Sequence, residues 1–71
     1  MQLISRDGCH LCELAERALA DAGVSFERVD VDVDEALLRV YDFRVPVLVV
    51  DGRVAAEGLI DVPAVVRALA S

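Results

Sequence analysis

Cys9-His10-Leu11-Cys12 holds the only two cysteines of the chain. It lies between an apolar N-terminal run, Leu3-Ile4, and a helical pattern that starts near Leu11. Thiols at this spacing can close a small disulfide ring on the first turn of a helix. There the positive end of the helix dipole and the free backbone N–H groups favour a thiolate. The arrangement suits a dithiol/disulfide exchanger. A Cys9–Cys12 bridge would close too short a loop to restrict the unfolded chain much, so stability is a poor reason for the pair.

Working outward, Met1 to about Ser5 reads as a strand, followed by an Arg6-Asp7-Gly8 loop. Leu11, Leu14, Ala15, Ala18, Leu19 and Ala22 recur at helical spacing, and Gly23 supplies the stop. Phe26 to Val33 reads as a second strand, with Val29, Val31 and Val33 alternating against Asp30 and Asp32. Asp34 can cap a short helix whose inward residues are Leu37, Leu38 and Tyr41. Val45-Pro46-Val47-Leu48-Val49-Val50 reads as a buried strand led in by proline, and Asp51-Gly52 as a hairpin turn into a strand at Arg53 to Glu57. Gly58 ends that strand. Asp61 then caps a last helix, with Pro63 in its first turn and Val62, Val65, Val66 and Leu69 toward the core. The order is β-α-β-α-β-β-α. A right-handed crossover makes the first two strands parallel and the hairpin adds an antiparallel pair. The expectation is an α/β fold with a four-stranded mixed sheet flanked by helices, in a single domain over residues 1–71.

With 71 residues, 56% of them apolar, the chain is close to the lower size limit for folding unaided yet too hydrophobic for disorder. The formal charge is −6 and all seven basic residues are arginine. None of these forms a basic stripe, so nucleic acid and anionic membranes are poor partners. Acidity accumulates in Asp30, Asp32, Asp34 and Glu35, which reads as a solvated edge that discourages strand addition. A docking surface for a basic partner is the alternative. The chain opens without a basic segment or a long apolar run, and no stretch approaches membrane-spanning length. A reducing cytoplasmic setting and a monomer are expected. In that setting a CxxC is more often catalytic or metal-binding than structural.

Three motifs occur in order: CxxC between the first strand and first helix, Val45-Pro46 opening the third strand, and a Gly58-to-Asp61 segment leading into the final helix. With them the chain resembles a small glutaredoxin-like protein of the thioredoxin superfamily over essentially its whole length. The resemblance implies a thioredoxin-like, glutaredoxin-type fold and thiol–disulfide oxidoreductase activity. It makes Cys9 the nucleophile and Cys12, one turn further in, the thiol that resolves a mixed disulfide. Two buried apolar thiols are the plainer alternative, which suits Cys12 but not Cys9 beside Gly8. His10 stands where glutaredoxins usually carry proline. A cationic imidazole there would further favour the Cys9 thiolate; an exposed histidine without a role is an equal alternative. Arg6 would add positive potential beside Cys9, where relatives often place a basic residue, or is a solvated loop arginine. Pro46 matches the proline that is cis in thioredoxin-like folds. A cis bond would leave the N–H and C=O of Val45 free to pair with an extended thiol substrate.

Two departures weaken the family's glutathione site. Arg44 replaces the usual threonine before Val-Pro, and the glycine pair before the last helix is reduced to Glu57-Gly58. Ile60 then stands where glutathione binders tend to carry a polar residue. Gly58, Asp61 and the helix N-terminus remain for the γ-glutamyl end, and Arg44 for a carboxylate. Glutathione is therefore expected only as a weak co-substrate, with no tightly bound cofactor, and the partners as thiol or disulfide substrates, protein or small molecule. Two other classes stay open. A metal or iron–sulfur carrier could use Cys9 and Cys12 with His10, but a closed zinc site needs four ligands, and a cluster would need two chains or added glutathione. No metal site within the chain is expected. The last class is a non-catalytic adaptor that keeps the fold while its cysteines idle.

Overall fold

Leu3 and Ile4, adjacent on strand β1 (Gln2–Ser5), point to opposite faces of the sheet and seed two separate cores. The computed structural model describes residues 1–70. On one face Leu3 packs with Ala15 and Leu19 of helix α1 (His10–Asp21), Leu48 of strand β3 (Val47–Val50) and Val62 of helix α3 (Val62–Ala70). On the other face Ile4 packs with Val31 and Val47 beneath Leu37, Leu38 and Tyr41 of helix α2 (Glu35–Tyr41). Helices α1 and α3 thus cover one side and α2 the other.

The sheet has four strands in the order β2-β1-β3-β4, where β2 is Glu27–Asp30 and β4 is Arg53–Glu57. Strand β1 pairs parallel with β2 and antiparallel with β3, and β3 pairs antiparallel with β4. This is the mixed sheet and the element order read from the sequence.

Local chemistry explains the boundaries. Asp34 Oδ1 accepts the N–H groups of Ala36 at 2.9 Å and Leu37 at 3.2 Å, and Asp61 Oδ1 accepts that of Ala64 at 3.1 Å. Each cap satisfies donors that the helix cannot, at about 1 kcal/mol. Asp51 (φ 52°) and Gly52 (φ 78°) both lie in the left-handed region, as a two-residue hairpin turn of matching twist requires.

Three expectations are corrected. The second strand stops at Asp30, and Val31–Val33 form a 3-10 turn instead. Ser5, the last residue of β1, pairs with Asp30, so the chain has nothing to pair with beyond it. The Asp30 carboxylate takes the Asp32 N–H at 2.9 Å and starts the turn. Val31 is buried while Val33 is 81% exposed. The third strand begins at Val47 rather than Val45. Leu69 lies outside the core, as do Leu11 and Leu14 of α1, because Ala15, Leu19 and Val62 already fill the space under the sheet.

Candidate active site

After Ser5 the chain turns through Arg6-Asp7-Gly8 and enters α1 at Cys9, whose extended backbone (φ −94°, ψ 113°) makes it the N-cap. The Cys9 Sγ accepts the Cys12 N–H at 3.2 Å, and the Cys9 carbonyl accepts the Glu13 N–H at 3.0 Å. A sulfur in the N-cap position satisfies one of the donors that the first helical turn leaves open. Cys9 and Cys12 form a disulfide across a Cα–Cα separation of 5.2 Å. The two cysteines are unequal: Cys12 is 0% exposed, whereas Cys9 is only half-buried. His10 and Leu11 between them are exposed.

The loop before Cys9 is tied down on two sides. Arg28 donates to Asp7 at 2.8 Å and to Glu16 at 2.7 Å, and Glu16 also accepts the hydroxyl of buried Ser5 at 3.2 Å. Arg6 makes a fork to Asp32 through Nε and Nη2, both at 2.9 Å. It also reaches the Asp42 carboxylate at 2.6 Å and the Asp42 carbonyl at 3.1 Å. Its charge is therefore matched by two carboxylates. The acidic run has local work as well: Asp30 and Asp34 cap turns, and Asp32 holds Arg6.

Hydrogen bonding from Arg6 holds the Asp32 carboxyl below its ordinary range, with partial desolvation opposing. A carboxylate whose folded pKa is depressed stabilises the fold at pH values above its unfolded pKa, about 4. That contribution disappears as the pH falls through the lower, folded value. Urea midpoints measured down to about pH 3 should therefore decline less steeply in Asp32→Asn than in the wild type. Equal declines would place the acid sensitivity on other groups.

Register brings the remaining candidates to the same end of the sheet. Ile4 pairs with Val47 and Val47 with Glu57, so the Cys9 loop, Val45-Pro46 and Gly58 all emerge there. The Val45–Pro46 bond is cis, and Pro46 is buried. The Pro46 carbonyl accepts the Gly58 N–H at 2.8 Å. Asp61, capping α3, follows at the same end.

The backbone of Val45 differs from expectation. Its N–H donates to the Tyr41 carbonyl at 3.2 Å, closing the turn that leaves α2, so only its carbonyl stands free of a partner among the described residues. Arg44 is also committed: Nε donates to Glu57 at 2.6 Å and the guanidinium lies 5.0 Å over the Tyr41 ring. Ile60 packs against the α1/α3 core. Sequence reasoning missed Asp42 and Glu57 as the partners of Arg6 and Arg44. They lie 36 and 13 residues away from those arginines, and no local pattern links them.

The chain matches the family model described as Glutaredoxin-like domain (DUF836) over residues 1–70. It belongs to that glutaredoxin-like family. The crystal structure of Northeast Structural Genomics target protein XcR50 from X. campestris is similar to this glutaredoxin-like domain, with a TM-score of 0.83 and 41% sequence identity. The match covers 97% of this chain and 93% of that one. No curated protein matches it. The family and fold that the three motifs imply are thereby shown for the glutaredoxin-like domain, and its Cys9–Cys12 pair fits a redox role. Among its described residues no helix is long and apolar enough to cross a membrane, and no three His, Cys, Asp or Glu side chains group as metal ligands.

Proposed function

We propose that this glutaredoxin-like domain is a thiol–disulfide oxidoreductase in which Cys9 attacks and Cys12 resolves. The observation that carries the reading is the unequal disulfide at the start of α1: a half-buried Cys9 whose sulfur accepts a helix N–H, beside a fully buried Cys12. In the reduced protein that N–H and the helix dipole favour a thiolate on Cys9. The thiolate attacks one sulfur of a substrate disulfide. A Cys9–substrate bond forms as the substrate bond breaks, and one substrate thiolate leaves. Cys12, once deprotonated, attacks the Cys9 sulfur, expels the second substrate thiolate and closes Cys9–Cys12. Two electrons pass to the substrate, and a thiol reductant must return them.

His10, exposed between the cysteines, would support the thiolate. The Val45 carbonyl, Pro46, Gly58 and Asp61 are the edge along which substrate lies. Partners are thiol or disulfide compounds met by a monomer in a reducing cytoplasm, with neither nucleic acid nor membrane involved. Glutathione is a weak co-substrate in this reading. Arg44 is already paired with Glu57, Ile60 serves the core, and Val45 offers one backbone group rather than two. Net charge −6 also opposes an anionic tripeptide, though salt screens this beyond about 10 Å.

Mixing reduced protein with a disulfide-bridged peptide tests the reading. One Cys9–Cys12 bridge should form for each peptide disulfide reduced, and glutathione as sole reductant should regenerate the thiols slowly. Absence of peptide thiol would sink the oxidoreductase reading. A visible absorption band in freshly purified protein would favour the cluster carrier, and fast regeneration would overturn the weak glutathione site.

A further inference from the structure

Arg6 spans two segments that are distant in sequence. It stands three residues before Cys9, and its four hydrogen bonds end on Asp32 after β2 and on Asp42 after α2. Asp42 in turn stands three residues before Val45. The bond to the Asp42 carbonyl grips the backbone itself, so the guanidinium fixes the course of the turn leading to Val45-Pro46 as well as a side chain. Strands β1 and β3 pair only as far as Ile4 and Val47, short of both segments.

We propose that Arg6 is a positioning residue, a clamp that sets the spacing between the Cys9 sulfur and the Val45-Pro46 edge. This rests on the thiol-exchange reading for its kinetic consequence, but the clamp itself is a property of the fold. It differs from the role that position alone suggests. Two carboxylates face the guanidinium, so little of its charge is left to act on the Cys9 thiolate, and its fork geometry is what matters. Lysine keeps the charge but presents one compact ammonium, which cannot engage both aspartates and the carbonyl in the same way.

A disulfide must reach Cys9 while lying along the Val45 edge, so loosening the clamp weakens productive binding of an extended substrate. The test uses full-length wild type, Arg6→Gln and Arg6→Lys, each reacted in reduced form with a disulfide-bridged peptide. Both variants should raise the half-saturating peptide concentration by about tenfold, equivalent to about 1.4 kcal/mol of binding. In Arg6→Lys, which keeps the charge facing Asp32 and Asp42, the Cys9–Cys12 potential measured against a thiol/disulfide buffer should stay at the wild-type value. Backbone amide exchange should quicken together over residues 6–9 and 42–45, the last residue before Pro46 that carries an amide hydrogen. Recovery of wild-type saturation by lysine would show that charge is the operative property and overturn the clamp. Faster exchange confined to the cysteine loop would overturn it too. A wild type that reduces no peptide defeats the exchange reading instead, and the amide exchange still decides the clamp.

Discussion

Replacing Cys9 with serine should cut disulfide exchange by roughly three orders of magnitude or more, as removal of a covalent nucleophile does. The hydroxyl of serine at the start of α1 would still accept the Cys12 N–H, so the fold should survive. Cys12→Ala should behave differently. Cys12 is buried, and alanine keeps an apolar side chain there without stranding a hydroxyl. This variant should still attack a peptide disulfide but then hold the peptide on Cys9, visible as a stable mass adduct that a reducing agent removes. The pair of variants separates attack from resolution. Rapid release from Cys12→Ala, or adduct formation at Cys12 in Cys9→Ser, would exchange the two roles.

Leu48→Ala is expected to have the largest effect on stability. Leu48 is 0% exposed and packs with Leu3, Ala15, Leu19 and Val62 at the centre of the α1/α3 face. Truncating a buried leucine removes its transfer energy and leaves a cavity, together about 2–5 kcal/mol. A small domain has a total of only about 5 kcal/mol, so the variant should keep at most about 3 kcal/mol and, at the upper end of that loss, be about half unfolded in water at 25 °C. Circular dichroism and urea unfolding check this directly. Leu69→Ala is the control: with that side chain 44% exposed, its midpoint should move by no more than about 0.5 kcal/mol equivalent. A similar loss in both would place Leu69 in the core alongside Leu48.

Elements with a local chemical signature are legible in the sequence. Asp34 and Asp61 announce helix starts because their side chains bond the next turn, and Asp51-Gly52 announces a hairpin because few other pairs tolerate both left-handed conformations. The cysteine pair is likewise read from four consecutive residues. Long-range partners leave no such mark. The alternation from Val29 to Val33 mimics a strand, and only the end of β1 at Ser5 decides that it cannot continue. Helical spacing in α1 admits Leu11 and Leu14 as readily as Ala15 and Leu19, and the sheet chooses between them. The engagement of the Val45 N–H depends on how the chain leaves α2, and the partners of Arg6 on how two turns meet. These are tertiary facts with no sequence period.

The Asp51-Gly52 hairpin lies at the end of the sheet opposite the disulfide, because β3 runs from the Pro46 end to the turn and β4 runs back. Asp51 and Gly52 are exposed, and the strands they join pair with each other. A tether grafted at that tip would leave the redox end turned away from its anchor. Bound to a solid support in this way, the molecule would present Cys9 to the solution, and each disulfide it reduced could be counted by the thiol released.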